Sequence, residues 1–488
     1  MNTTNEAQPV VTPAITTKIR WLYGLGAAAF GVKDNGFSYF LMIYYNQVLG
    51  MTASLAGLAI LIAMIFDAIS DPLVGWWSDN THSRWGRRHP FMYSAAIPVA
   101  VVYYLLWNPP LDFLAQFEYG LFFYLTVAAI VIRFLITLYE IPSTGMVAEL
   151  TEDYDERTRL LSYRYMFGWY GGLFMAVLAW GVFMKDTPEY ANGVLNPAGY
   201  FGYSLVGSIL IVIAILWSSI GLHKFIPYLK QPPERQSFNP MQIVKDLKVT
   251  LANRNFLSLF MAGLFAAIGA GVATNFDAYI TNYFWGFNSS DIRWLNVSLF
   301  ISASMAAILS PIITRRFDKK ASALGIYGIS IFYGAMPVLL RLFGLFPGND
   351  SPYLLPVMIF HYITNVTLIV MFGIIQSSML ADIVEHSQMK TGRREEGLFF
   401  AARTFAAKAT SGVGAFIAGI TLDLIQFPIG ATPGQVSEDV LFRLGVIFGP
   451  TLMVFYLLAL VCISFYQITR EGHGDRIETL QERQEESA

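Results

Sequence analysis

One stretch of the chain reads ASLAGLAILIAMIFDAISDPLVGWW, residues 53–77, and is apolar along most of its length. It is long enough to cross the hydrocarbon core of a bilayer as a single helix. Within it, Asp67 and Asp71 are four residues apart, so their carboxylates share one helix face, about 6 Å apart along the axis. Each acid would cost roughly 2.5–3.5 kcal/mol at a bilayer centre. We therefore expect the pair to have a function, such as binding a cation.

The rest of the chain has the composition of a membrane protein. Of its 488 residues, 55% are hydrophobic and only 14% are charged, whereas soluble domains carry about 25% charged residues. Apolar runs long enough to span recur from end to end. They predict an all-α membrane protein with twelve spans, near 20–49, 53–77, 90–108, 119–148, 163–184, 201–226, 255–285, 291–313, 322–344, 353–382, 399–425 and 440–468.

Lys and Arg are concentrated in alternate connections between these spans. The connections after even-numbered spans are basic, at 84–88, 157–159, 230–254, 315–320 and 390–394. The opposite connections, such as 108–112 and 426–440, are nearly free of both residue types. By the positive-inside rule, both termini are predicted to be cytoplasmic. We expect the membrane to be the cytoplasmic (inner) membrane of a bacterium.

Several classes of function lack their sequence signature. The polar first 19 residues precede a span much longer than a signal-peptide core, so no cleaved signal is expected. The single cysteine, Cys462, allows no intramolecular disulfide. No zinc-type Cys/His spacing and no phosphate-binding P-loop is present. We therefore expect the protein to be neither an enzyme nor an ATP-driven pump. We also expect it to have no cofactor and no nucleic-acid partner, and to function as a monomer in the lipid bilayer.

A long hydrophilic stretch divides the spans six and six. It predicts an N-terminal half (1–226), a cytoplasmic linker (227–254), a C-terminal half (255–468) and a charged cytoplasmic tail (469–488). The basic loop 79–88 after span 2 has a counterpart at 314–320 after span 8. Two six-span halves are the arrangement of major facilitator transporters, whose binding site lies at midplane between the halves.

Further ionisable residues fall inside predicted spans, namely Lys33, Asp34, Arg133, Glu140, Arg164, Asp277 and Lys408. Such residues face a polar cavity or pair with one another. For Arg133, Asp277 and Lys408, a structural ion pair between helices is as good an interpretation as a binding role. For the acid pair a ligand is favoured, because like charges that close repel unless a cation or a proton intervenes. Sodium and a proton both remain open as that ligand.

Several motifs resemble a known family. They are FDAISDPLVG (66–75), SRWGRRHP (83–90), GVKD (31–34), YEIP (139–142), ADIV (381–384) and AAKA (406–409). They resemble the melibiose-carrier family, the glycoside–pentoside–hexuronide:cation symporters of the major facilitator superfamily. The resemblance implies a cation site at Asp67, Ser70, Asp71, Thr137 and Glu140. It implies sugar-binding residues at Lys33, Asp34, Glu140, Arg164, Thr404 and Lys408.

One departure from that family concerns its two sugar-site tryptophans. Their positions fall at Thr144 and Gly373, so the aromatic platform for the sugar is altered. Phe37, Tyr165 or Trp169 could replace it, although each is also a common packing residue in a helix.

The basic loop after span 2 sets membrane topology by its charge alone. In the superfamily a similar loop also braces the cytoplasmic gate, which makes Asp79, Arg84 and Arg88 candidates for that role. Their candidate counterparts in the second half are Asp382, Arg394 and Glu396.

The sequence thus predicts a secondary symporter that couples entry of sodium or protons to import of a glycoside or related sugar by alternating access. One alternative cargo is an amphipathic, lysolipid-like solute, since a lysolipid-carrying branch of the superfamily has a similar acid motif in span 2. An alternative of another class is a membrane receptor or enzyme, which the lack of a nucleophile–base pair or metal set disfavours.

Overall fold

The computed structural model describes residues 14–151, 153–190, 192–229, 254–391 and 396–467. Ten helices within these residues are long and apolar enough to cross a membrane, and α1 and α11 complete the twelve. The first-half helices are α1 (in pieces over 17–48), α2 (Ala53–Asp79), α3 (His89–Trp107), α4 (Gly120–Gly145), α5 (Tyr154–Leu178) and α6 (Pro197–Leu222). The second-half helices are α7 (Arg254–Tyr279), α8 (Ser289–Arg316), α9 (Lys319–Leu342), α10 (Leu354–Thr391), α11 (Glu396–Leu424) and α12 (Glu438–Ser464).

The all-helical membrane fold predicted from the sequence is confirmed, with differences at helix ends. Helix α5 begins at Tyr154, so Arg157 and Arg159 belong to its first turns and not to a loop. Helix α10 runs on to Thr391, nine residues past its predicted end. Hydropathy detects only the part of a helix that lies in hydrocarbon, and both extensions are polar turns beyond it. Most of the linker predicted at 227–254 and all of the predicted tail lie outside the described residues.

Helix α1 is built differently from the others. It consists of Thr17–Leu25 and Ala28–Asn35, followed by two wider π-helical turns at Gly36–Phe40 and Tyr44–Val48. Helix α7, its counterpart in the second half, ends in a similar π-helical turn at Ile280–Phe284. Helix α5 also ends in a π-helical turn, at Ala179–Phe183, so these turns are not confined to the α1–α7 pair. Such turns are frequent at functional sites.

Small residues bring particular helices into close contact. On the α2–α11 interface, a Cβ added at Gly57 would lie 2.7 Å from the carbonyl oxygen of Ala415, and one at Gly419 would clash with the carbonyl oxygen of Ala53. Gly271 of α7 lies equally close to the backbone of Ser411. Close backbone approach through small residues is the usual way membrane helices gain packing energy. Helix α11 is therefore pressed against α2 of the other half as well as against α7 of its own.

Polar contacts join the two halves at one end of the molecule, which we call the sealed end. Its loops are the connections after α1, α5, α7 and α11. The side chain of Asn192 donates to that of Asn282 at 2.6 Å, and Ser289 donates to Asp186 at 2.7 Å. The carboxylate of Asp423 accepts from two backbone N–H groups at the first turn of α2, at 3.2 and 2.9 Å. Such a carboxylate satisfies unpaired donors and complements the positive end of the helix dipole.

Candidate cation and solute site

The acid pair lies on the face of α2 that packs against α4 and α11. Asp67 is buried, with only 3% of its surface exposed. The hydroxyl of Thr137 on α4 donates toward Asp67 Oδ1 at 3.2 Å and toward Asp71 Oδ1 at 3.0 Å. A single hydroxyl hydrogen serves one of these acceptors at a time. Thr137 therefore ties the two carboxylates together, as their shared helix face led us to expect.

Two basic side chains neutralise the pair. Arg133, one turn before Thr137 on α4, lies 3.2 Å from Asp67 Oδ2 through its Nη1. The ammonium of Lys408 on α11 lies 2.6 Å from Asp71 Oδ2 and 3.2 Å from Asp67 Oδ2. The site thus holds two carboxylates and two cations. Because Lys408 comes from the second half, this cluster is also an ionic contact between the halves.

Two further residues that the family resemblance assigns to the cation are placed differently. The hydroxyl of Ser70 donates to the backbone carbonyl of Asp67 at 3.1 Å, within its own helix. The carboxylate of Glu140 receives no hydrogen bond from the part of the chain that is described, although its backbone carbonyl accepts from Ser143 and Thr144. That carboxylate interacts electrostatically with Lys408, Arg164 and Lys33.

The predicted sugar-binding residues of the first half form a polar cluster beside Glu140. The ammonium of Lys33 is 2.5 Å from the carboxylate of Asp34, and more than half of the Asp34 side chain is exposed. Arg164 is buried, and its guanidinium donates to the Ser143 hydroxyl at 2.9 Å and to the Glu140 carbonyl at 3.3 Å. Asp34 is therefore accessible to a solute, whereas Arg164 already braces α5 against α4.

The aromatic residues considered as a sugar platform divide into two groups. Phe37 is buried, with the Arg133 guanidinium 4.9 Å and the Lys33 ammonium 5.9 Å from its ring centre. Cations at this distance from an aromatic face are stabilised by it. Phe37 thus links the cluster at Asp34 to the acid pair. Tyr165 and Trp169 of α5 are largely exposed.

Among the side chains that the structure describes, the ion pairs of the predicted gate loop lie within the first half. Arg88 is 3.1 Å from Asp79 and also contacts the carboxylate of Glu149, which follows α4. Arg87 shares both acids, at 3.6 and 2.6 Å. Arg84 instead lies over the ring of Trp85 on the surface. These ion pairs hold the C-terminal end of α2 close to the segment that follows α4.

The remaining predicted residues lie in the least described part of the chain. Arg394 is outside the described residues. The side chains of Asp382, Glu396 and Thr404 are also outside the described part, so their predicted roles stay predictions.

Sequence reasoning did not assign three of the residues found here. Arg133 was noticed as an intramembrane charge, but its pairing with Asp67 joins positions 66 residues apart. Arg87 and Glu149 were not singled out. Glu149 is the first of several acids just after span 4, on the same side as the basic loop, and nothing in the sequence distinguishes it from the others.

The whole chain resembles transport proteins. It is 27% identical to an uncharacterized symporter of Synechocystis sp., covering 96% of this chain and 97% of the relative. It is 24% identical to a putative glycoside/cation symporter of Escherichia coli (strain K12), covering 93% of each. It is 25% identical to the isoprimeverose transporter of Lactiplantibacillus pentosus, covering 86% of this chain and 84% of that one.

The fold matches that of solved transporters. The xylose transporter XylE from E. coli, in its inward-open conformation, superposes with a TM-score of 0.56 at 14% identity. The match covers 93% of this chain and 96% of XylE. Residues 22–470 match the family model described as MFS/sugar transport protein, which is nearly the whole chain. The protein therefore belongs to the MFS/sugar transport protein family.

Proposed function

We propose that this protein is a symporter that uses a sodium or proton gradient to import a glycoside or related sugar. The observation that carries the proposal is the ion cluster of Asp67, Asp71 and Lys408, which joins the two halves beside the exposed Asp34. A carboxylate pair held by a lysine of the opposite half can exchange that lysine for a coupling ion. The names of the glycoside/cation symporter and isoprimeverose transporter relatives support the choice of cargo.

The cluster suggests how the ion and the solute are coupled. A sodium ion between Asp67, Asp71 and the Thr137 hydroxyl would have the hard oxygen ligands that such cations prefer. A proton would need only one of the two acids. Binding of either ion neutralises charge on the acid pair and weakens its attraction for Lys408. The Lys408 ammonium then becomes available to Glu140 and to a bound sugar. Each ligand then raises the affinity for the other, because linkage between two sites is reciprocal.

The charge pattern of the loops supports one orientation of the protein in the membrane. If the basic connections are cytoplasmic, the sealed end faces outward and both termini face inward. The polar contacts at the sealed end, such as Asn192 with Asn282, then belong to an inward-facing state. We propose that the protein functions as a monomer in the bacterial cytoplasmic membrane and delivers its cargo from this state.

Transport by purified protein in liposomes tests the proposal. Labelled mono- and disaccharides are screened with a sodium, lithium or proton gradient imposed in turn. We expect one cation to drive accumulation of a sugar above its outside concentration. Asp71→Asn should lose that accumulation yet keep exchange of labelled for unlabelled sugar, because its effect falls on the coupling ion.

The matched control is Asp439→Asn, which removes an exposed ion pair with Arg443 in the first two turns of α12. It should accumulate sugar like the wild type. Full cation-driven accumulation by Asp71→Asn would refute coupling through the acid pair. Uptake of an amphipathic lipid without uptake of any sugar would identify the alternative cargo.

A further inference from the structure

The second half contains a cavity that the ion cluster and the polar cluster around Asp34 leave unused. It has a volume of about 530 Å³ and lies among α7, α8, α9, α10 and α12. Pockets of roughly 300–1,000 Å³ are typical of small-molecule sites. One residue of the first half, Tyr39 of α1, also lines it. The cavity therefore extends to α1, at the boundary between the two halves.

Small residues create this space. Ala266, Ala270 and Ala273 repeat at helical spacing along one face of α7, and all three line the cavity. Ala270 is exposed although it lies in the middle of its helix. Across the cavity, a Cβ added at Gly373 of α10 would meet no heavy atom within 4 Å. Larger residues at these positions would fill the cavity, so its volume is a direct property of this sequence.

The walls favour an uncharged ligand with a large apolar part. Aromatic rings line much of the cavity: Tyr39, Trp285, Tyr327, Tyr362, Phe372, Phe448 and Tyr456. No Lys or Arg is among its described lining residues, and its one charged side chain is Asp277. An anion would therefore lack a counter-charge here and would face a carboxylate. A ring or chain that buries apolar surface gains free energy in proportion to the area removed from water.

A few polar atoms in the walls lack partners. Asp277 accepts one hydrogen bond, from the Tyr362 hydroxyl at 3.3 Å, and has no basic partner among the described residues. Nδ1 of the buried His361, Oδ1 of Asn365 and the hydroxyl of Tyr327 are buried without any hydrogen bond. Unsatisfied buried polar atoms are uncommon and cost free energy. Since carboxylate and amide oxygens only accept, hydroxyl groups on a ligand would suit them.

The cavity and the polar cluster are close enough for one solute to reach both. Tyr39 follows Asp34 by five residues on α1, so the two residues lie about one turn apart along the same helix. We propose that this cavity binds the aglycone of the transported glycoside, an uncharged, mostly apolar group carrying a hydroxyl, while the sugar lies at Asp34. This inference rests on the proposed function and specifies its substrate as an amphipathic glycoside.

The test measures the preference for aryl over methyl glycosides in liposomes. The probes are methyl, phenyl and 4-hydroxyphenyl glycosides of xylose, glucose and galactose, in both anomers. For the sugar that is carried, we expect KM to be at least about tenfold lower with a phenyl aglycone than with methyl, because the ring is buried. The 4-hydroxyphenyl compound should have the lowest KM. Asp277→Leu, which removes both acceptor oxygens, should abolish only that additional hydroxyl preference, and Asp277→Asn, which keeps one neutral acceptor oxygen, should weaken it.

Ala270→Phe and, independently, Gly373→Phe fill the cavity and should reduce the aryl-to-methyl preference to about one while the methyl glycoside is still carried. Two different positions are used so that misfolding of one variant leaves the test intact. The matched control is Ile301→Phe, an exposed residue of α8 outside the cavity, which should keep the preference.

Two outcomes separate this inference from the proposed function. Cation-driven uptake of methyl glycosides with no aryl preference, or a preference that survives both filling variants, would overturn the cavity assignment and leave the symport proposal standing. Failure to carry any glycoside while a free mono- or disaccharide is accumulated would also overturn only the cavity assignment, whereas failure to carry any sugar or glycoside would overturn both.

Discussion

Lys408 pairs with the two acids of the opposite half, and we propose that it competes with the coupling ion for them. Its ammonium occupies the space next to Asp71 Oδ2 that a coupling ion needs. Removing one partner from a buried ion pair leaves an uncompensated charge, which is costly. The same residue thus keeps the ion-free site stable and limits the affinity for the ion. A lysine suits this role better than an arginine, because its compact charge on a flexible stem can withdraw.

The variant Lys408→Gln should therefore become dependent on the coupling ion for stability. Without the ion, we expect a loss of about 3 kcal/mol, the lower range for a broken buried pair. Saturating ion should restore part of this loss, since a ligand at about 100 times its Kd stabilises by about 2.7 kcal/mol. The measurement is thermal unfolding in detergent with sodium chloride or with choline chloride, repeated across pH.

Lys224→Gln, at an exposed lysine near the end of α6, is the control. It should respond to sodium like the wild type. A rise of Tm on acidification instead of on sodium addition would identify the proton as the coupling ion. Equal responses of Lys408→Gln and the wild type to sodium and to pH would show that Lys408 does not compete with the ion.

At the scale of helices, the sequence predicted the elements well and their contacts poorly. Apolar length located all twelve helices, because the bilayer imposes that length on each of them. The i, i+4 spacing of Asp67 and Asp71 correctly put both acids on one face. The pairing of Asp71 with Lys408 spans 337 residues, and no local pattern encodes a contact between such distant positions. The role of Arg164 was ambiguous for a different reason: an intramembrane arginine can bind a solute or brace two helices with the same donors.

The α2–α11 interface depends on glycines, and this makes it testable. Gly419→Leu would press a side chain against the Ala53 backbone at the sealed end. We expect it to open that end and to shift the protein toward its other conformation, since packed interfaces rearrange between discrete states. Ser289→Cys, introduced with Cys462→Ser, reports this opening because Ser289 is buried at the sealed end. Labelling by a water-soluble maleimide should become faster in the Gly419→Leu background.

Gly325→Leu on α9 is the matched control, because an added Cβ there meets no heavy atom within 4 Å. It should leave the labelling rate of the Ser289→Cys probe unchanged. If Gly419→Leu labels no faster than this control, close packing of α2 against α11 does not maintain the seal.

At the scale of the whole molecule, the ion cluster, the sealed end and the close packing of α2 against α11 connect the two halves within the described residues. The sequence implied the midplane position of the cluster through the two-half organisation, whereas the state of the seal could not be inferred. Apart from the carboxylates of Asp186 and Asp423, the contacts at the sealed end involve neutral Asn, Gln, Ser and Tyr side chains near the ends of helices and in loops. These residue types are common in many loops, so their pairing carries no distinctive sequence signal. Alternating access requires this seal to break in each cycle.

Fastening the seal should therefore stop transport. Asn192 and Asn282 belong to different halves and their side chains are 2.6 Å apart. In a Cys462→Ser background, Asn192→Cys with Asn282→Cys can be joined by a short, cleavable bifunctional thiol reagent. We expect the linked protein to lose uptake and to regain it when the linker is cleaved. The control pair is Asn108→Cys with Ser204→Cys, whose parent side chains contact at 2.9 Å within the first half. Linking that pair should leave uptake intact, because no contact between the halves is fixed. Unimpaired uptake by protein fully linked at 192 and 282 would mean that the sealed end does not open during transport.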